Sequence, residues 1–159
     1  MAILTVTITE NVTLNGVDQG NSYSGFVTTD SITQVMRKNI KCVADAEITL
    51  YQADAPTATT GTGAAWFDED SIQYVRITNL NATDHYGWLR IQNDNGTPDE
   101  VSYKLSGKQS LLLYAHAASL NAIDAAALTL GTGEGAISKV SFKPISNDID
   151  IELFIASGD

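Results

Sequence analysis

The side chains best suited to chemistry in this sequence are aromatic and cationic: Tyr74, Arg76, Tyr86, Trp88 and Arg90, spaced two apart within the runs Ile72–Leu80 and Tyr86–Gln92. In an extended chain, residues two apart share a face. Each run therefore sets its rings and guanidiniums on one side and Val75, Ile77, Leu89 and Ile91 on the other. If the runs form a hairpin through Asn81–His85 with Leu80 opposite Tyr86, then Thr78 faces Trp88, Arg76 faces Arg90 and Tyr74 faces Gln92. A slip of one residue would mix Ile77 with Trp88 and Val75 with Arg90, which favours the first register. The five residues are then expected to form one interface patch. Tyr, Trp and Arg dominate interface hot spots because they bury much area and still offer donors. On an acidic chain, the two guanidiniums would suit a partner's carboxylates. The competing expectation is that these groups stack on one another on a solvated face, or pack inside the fold.

The inventory for catalysis is thin. His85 falls in a turn and His116 ends an apolar strand, while the sequence adjacency of Asp84 and His85 does not by itself orient one side chain on the other. No Gly-x-Ser-x-Gly elbow, no Cys–His pair at a known spacing and no His-x-x-x-His pair occurs. Cys42, in an alternating stretch, reads as a small buried hydrophobe. No catalytic residues, and so no enzyme, are expected.

Metal and cofactor signals are equally bland. The acidic groups Asp68-Glu69-Asp70, Asp99-Glu100 and Asp148, Asp150, Glu152 could in principle attract a hard cation, but such clusters are usually solvated. Asn93-Asp94-Asn95-Gly96 fails as an EF-hand loop, since Ile91 and Ser102 stand where the first and last ligands belong. Thr60-Gly61-Thr62-Gly63 and Gly131–Ala136 superficially look like phosphate loops. A strand-like segment follows the second, and Glu134 would repel a phosphate. No metal and no cofactor are expected.

The elements that must position the five residues read as strands. Period-two alternation recurs from Ala2–Thr9 to Ile149–Ile155, broken by Gly, Asn and Asp, and Thr is frequent throughout. Asn15-Gly16 signals a turn. Strands are expected over 22–27, 32–37, 40–51, 72–80, 86–92, 101–105, 111–116, 137–143 and 149–155, with an exposed loop at 52–65 and the Ala-rich run 117–128 ambiguous. The last strand should turn Ile149, Ile151, Leu153 and Ile155 inward, and Asp148, Asp150, Glu152 and Phe154 outward. Ser31-Ile32-x-x-Val35 recurs as Ser71-Ile72-x-x-Val75, but nothing between the copies aligns, so coincidence is the better account. The expected architecture is all-β, a single antiparallel β-sandwich or jelly roll of about nine or ten short strands, spanning residues 1–159 as one domain.

Composition bounds the partners. A chain of 159 residues can bury a real core, and 43% hydrophobic with 18% charged residues argues against disorder. A net charge of −10 repels phosphate backbones, so no direct nucleic-acid binding is expected. Nothing is apolar for 18 residues, so no membrane association is expected; the opening residues lack a signal-peptide pattern, and the lone Cys42 suits a reducing cytoplasm.

Three stretches carry a resemblance. MAILTVTITENVTLNG (1–16), IQYVRITNLNATDHYGWLRI (72–91) and ISKVSFKPISNDIDIELFIA (137–156) resemble small virion proteins of marine and cyanobacterial tailed phages, over about a third of the chain. That resemblance implies a non-enzymatic structural protein, foremost a capsid decoration or cement protein on the outer shell, with the major capsid protein or another virion protein as partner. It implies a homo-oligomer, assembled in the host cytoplasm and located in the virion. A neck, tail or fibre-base component fits the same residues. A carbohydrate-binding β-sandwich, with Tyr74, Tyr86 and Trp88 as a stacking platform, is the alternative from another functional class.

Overall fold

A computed structural model describes residues 2–52, 71–93, 100–114, 119–120, 128–129 and 137–158, with the backbone alone at 26–28, 30, 93, 119–120 and 128–129. In chain order the strands are β1 (Ala2–Thr9), β2 (Thr13–Leu14), β3 (Val17–Asp18), β4 (Ser22–Cys42), β5 (Ile48–Gln52), β6 (Ile72–Asn79), β7 (Tyr86–Asn93), β8 (Glu100–Ser106), β9 (Ser110–Tyr114), β10 (Ser119–Leu120), β11 (Leu128–Thr129), β12 (Ile137–Pro144) and β13 (Ile149–Gly158). Nine of them build two antiparallel sheets, in the orders β1-β4-β13-β6-β9 and β5-β12-β7-β8, while β2-β3 and β10-β11 are two-residue ladders. The all-β sandwich expected from alternation is the fold observed.

The two sheets share one core. Ile149, Ile151, Leu153 and Ile155 of β13 are all fully buried, as alternation requires. They meet Val75 and Ile77 from their own sheet, and Leu89, Ile91, Val140 and Phe142 from the other. Gly87 makes room for this layer. A Cβ there would overlap the Phe142 ring and the Lys143 carbonyl, so the strand can pass only with no side chain at that point.

Pairing departs from the expected pattern where consecutive strands change sheet. β6 and β7 form no hairpin: β6 lies between β13 and β9, and β7 between β12 and β8. The crossing segment is pinned by the buried Asn79. Its Nδ2 donates to the His85 carbonyl at 3.0 Å and the Leu105 carbonyl at 3.3 Å, and its Oδ1 accepts from the Asn81 N–H at 3.1 Å. The inward assignment of Val75, Ile77, Leu89 and Ile91 survives because alternation fixes which face is apolar; only the pairing partner was misassigned. Likewise, the single strand expected over 40–51 breaks at 43–47. There Asp45 adopts φ 60° and the Ala44 N–H donates to Asp148 at 3.0 Å, which carries the chain from one sheet to the other.

At the N-terminal end, the expected strands 22–27 and 32–37 fuse with the start of the strand expected over 40–51 into the 21-residue β4. Its first half pairs β1 and its second half β13, both registers meeting at Ile32. Ser31 has φ 62°, and the register shifts on both sides of it show a bulge that bends the strand. The β1–β4 ribbon then brings Leu4 and Val6 against Ile32, Tyr74 and Ala156 on the outer face of the five-stranded sheet. Asn15 and Gly16 (φ 52° and 78°) make the expected turn between β2 and β3. The two copies of the Ser-Ile-x-x-Val pattern flank β13, yet Val35 is exposed where Val75 is buried; they occupy unlike environments, as coincidence predicts.

The loop expected at 52–65, the turn at Asn95-Gly96, the Ala-rich run and both glycine loops lie wholly or mostly outside the described residues. Two predictions follow from the core. Gly87→Ala should destabilise the fold by about 1–3 kcal/mol through overpacking, measured as a lower midpoint in urea. Cys42 is fully buried, and its thiol is pushed up to about 12 by desolvation and then by the nearby Asp150 carboxylate. It should therefore resist a thiol reagent at pH 8 until denaturant is added.

Candidate functional site

Because β6 and β7 belong to different sheets, the five aromatic and cationic residues divide. Tyr74 and Arg76 lie on the outer face of the five-stranded sheet, and Tyr86, Trp88 and Arg90 on the outer face of the four-stranded one. A sandwich core stands between them, so the single patch expected from the hairpin is not formed, nor does Tyr74 share a stacking platform with Tyr86 and Trp88.

On the four-stranded sheet, register gathers a cationic surround for an exposed ring. Trp88 is 45% exposed. Its cross-strand neighbours are Lys104 on β8 and Lys143 on β12. Lys104 Nζ sits 4.1 Å from the centroid of the Tyr86 ring, a cation–π contact that holds ring and ammonium together. One register step on, Arg90 is paired with Ser102 and Ser141. Its guanidinium reaches Glu47 at 3.2 Å and Glu100 at 3.5 Å, and Glu47 also accepts from the Ser141 hydroxyl at 2.5 Å. Arg90 is thus neutralised locally and braced. The cations left to act outward are Lys104, Lys143 and Lys139, the last being paired with Gln92; among the described residues none of the three makes an ion pair. Sequence reasoning missed these lysines, although Ser102, Lys104 and Lys143 alternate with inward residues in their own strands. What it lacked was the order of the strands.

On the five-stranded sheet the outward residues assemble differently. Glu152 of β13 lies in register between Asn39 of β4 and Thr78 of β6, and Phe154 between Arg37 and Arg76. The Glu152 carboxylate accepts from Arg37 Nε at 2.7 Å and also meets Arg37 Nη2, while its second oxygen meets Arg76 Nη2. Glu152 is only 7% exposed although it points away from the core. Arg76 also lies 5.6 Å over the Phe154 ring, and Tyr74 packs edge-on to Phe154 with centroids 5.9 Å apart. Tyr74 is 3% exposed, buried on this outer face beneath Leu4 and Val6. For Tyr74, packing rather than display is the outcome. Arg37 was invisible in the sequence because nothing local couples it to Glu152.

Asp84 and His85 are in fact oriented on one another, Asp84 Oδ1 to His85 Nδ1 at 2.8 Å, which corrects the expectation from adjacency alone; that bond holds the exposed Asp84 carboxyl below its usual range. His116 and the acidic run at 68–70 lie outside the described residues, as does Asp99. The Ala44 backbone N–H first, and then Lys41 at 3.1 Å, hold the Asp148 carboxyl below its usual range. Among the described residues no group of three His, Cys, Asp or Glu side chains could hold a metal ion, and no helix is long and apolar enough to cross a membrane. No protein-family model matches the sequence, and no curated protein matches it.

The Arg37 hydrogen bond, helped by the charges of Arg37 and Arg76 against some desolvation, holds the Glu152 carboxyl below its ordinary range. A depressed folded-state pKa contributes stability that is present above the unfolded value and disappears as pH falls through the folded one. Glu152→Gln should cost about 1–3 kcal/mol at pH 7, because two guanidiniums lose their shared charged acceptor. The gap between variant and parent should close as pH drops below about 4, measured by urea unfolding across pH.

Proposed function

We propose that this chain is a non-enzymatic structural protein of a phage virion, foremost a capsid decoration protein, which docks on the shell through the outer face of its four-stranded sheet. The observation that carries this reading is Trp88, exposed at the centre of that sheet with Lys104 and Lys143 in register on either side. An exposed indole framed by ammonium groups suits a partner surface that offers an apolar pocket rimmed by carboxylates. The setting matters: the chain carries a net charge of −10, so a locally cationic face orients docking while the rest of the surface keeps free copies apart. The sequence resemblance to phage virion proteins supports the same role. The bent ribbon, which exposes Ile3 and Tyr23, and the segment with the β2–β3 turn that joins its two strands, which exposes Val12, Leu14 and Val17, supply apolar surface for the homo-oligomer included in this proposal.

The test is twofold. Mass spectrometry of purified virions should find the chain in hundreds of copies; a handful would place it in the neck, tail or fibre base, and none would remove the virion role. Trp88→Ala combined with Lys143→Glu should weaken binding to undecorated shells by at least about tenfold, with the circular dichroism of the fold unchanged. Unaltered binding by a folded double variant would exclude this face as the interface.

A further inference from the structure

The other outer face carries a second feature, independent of the Trp88 surface. Between the β1 ribbon and the five-stranded sheet lies an open groove of about 420 Å³, lined by Leu4, Thr5, Val6 and Thr7 on one side and by Arg37, Tyr74, Arg76 and Phe154 on the other. Its apolar parts are Leu4, Val6 and the two rings. Its polar end is the pair of guanidiniums joined through Glu152.

The charge at that end does not balance. Two guanidiniums share one carboxylate, which leaves a single positive charge facing the groove. A guanidinium carries five N–H donors and no acceptor. Among the described residues Arg76 gives only Nη2 to Glu152, and its Nε is buried with no hydrogen-bond partner. That Nε is closed to solvent, so the donors a ligand in the groove could meet are at the Nη end of a planar group already held in place by the Phe154 ring and by Glu152. Such preorganised donors are what recognises an oxyanion in fork geometry. The apolar wall beside them adds a requirement: the oxyanion should be attached to something that Leu4, Val6 and Phe154 can cover.

We infer that this groove is a binding site for a carboxylate attached to an apolar group, as presented by an acidic peptide segment of a partner protein, with Arg76 and Arg37 as the recognition residues. Glu152 acts as a positioning residue, aligning both guanidiniums while cancelling only one of their two charges.

The probe is 3-phenylpropionate, titrated into the intact ¹⁵N-labelled protein, and the readout is the Nε–Hε cross-peak of Arg76. The peak should move saturably in the millimolar range. Acetate, which lacks the apolar group, should bind roughly tenfold more weakly. Arg76→Lys keeps the charge but loses the fork, and should weaken phenylpropionate and acetate alike while leaving the preference that the apolar wall supplies, followed on neighbouring backbone amides. Thr5→Asp places a negative charge on the exposed wall, outside the ion cluster, and should weaken binding even if the Arg76 variant does not fold. A stationary Arg76 peak would overturn the inference, as would acetate or inorganic phosphate binding as tightly as phenylpropionate. The Trp88→Ala, Lys143→Glu protein should still bind the probe, so failure of the shell-docking proposal and failure of this one are separately visible.

Discussion

The strand β13 must satisfy two opposite demands, and much of the molecule is arranged around them. Inward it sets Ile149, Ile151, Leu153 and Ile155 in a row that excludes water completely. Outward it carries Glu152 and Phe154, which a β-strand necessarily turns to the other side. Here the side chains reaching across from β4 and β6 close over the carboxylate, leaving Glu152 only 7% exposed. The charge is kept ionised by bringing Arg37 and Arg76 to it from both sides. Ion pairs at a surface contribute little on their own, but this one is partly shielded by Phe154 and the ribbon. Removing one member leaves charged groups short of partners, which is the larger effect.

The bend in β4 is a consequence at the same place. A straight 21-residue strand would carry β1 far beyond the sheet. The left-handed φ at Ser31, beside the close approach of Gly158, turns the ribbon instead. It comes back over the face that holds Tyr74 and Ala156, and so gives the sandwich a second, smaller apolar cluster outside its main core. That is why Tyr74, on the outward side of its strand, is nearly as buried as a core residue. Outward and exposed are different properties once a third layer is laid over a sheet.

The inward and outward sides of the core strands were legible because alternation is a local property. Val75, Ile77, Leu89, Ile91 and the β13 row could be assigned without knowing any neighbour. Strand pairing was not legible, because it depends on which connections cross between sheets. Asn81–His85 has the length and composition of a hairpin loop, and nothing in those residues announces that Asn79 will reach the His85 and Leu105 carbonyls and hold a crossover. The candidate site inherited that error. All five residues turn outward, but Tyr74 and Arg76 went to one sheet, and Tyr86, Trp88 and Arg90 to the other. The partners that give each set its character, Arg37 in one case and Lys104 and Lys143 in the other, are distant in sequence and join only through register.

The division changes what each arginine can do. Had Arg76 and Arg90 faced one another, their charges would have repelled across a strand pair, and the patch would have needed a partner's carboxylates merely to be tolerable. Separated, each finds carboxylates within the chain: Glu152 for Arg76, and Glu47 with Glu100 for Arg90. The two outcomes differ in balance. Arg90 is met by two carboxylates and becomes scaffold, bracing the sheet beside Trp88 and leaving the lysines to face outward. Arg76 and Arg37 share one carboxylate and keep a charge in hand. An acidic protein of this size would lower its electrostatic energy by cancelling its few cations with its own excess of carboxylates. Where the fold instead leaves cations uncancelled, beside Trp88 on one face and beside Phe154 on the other, an external acceptor has the most to offer.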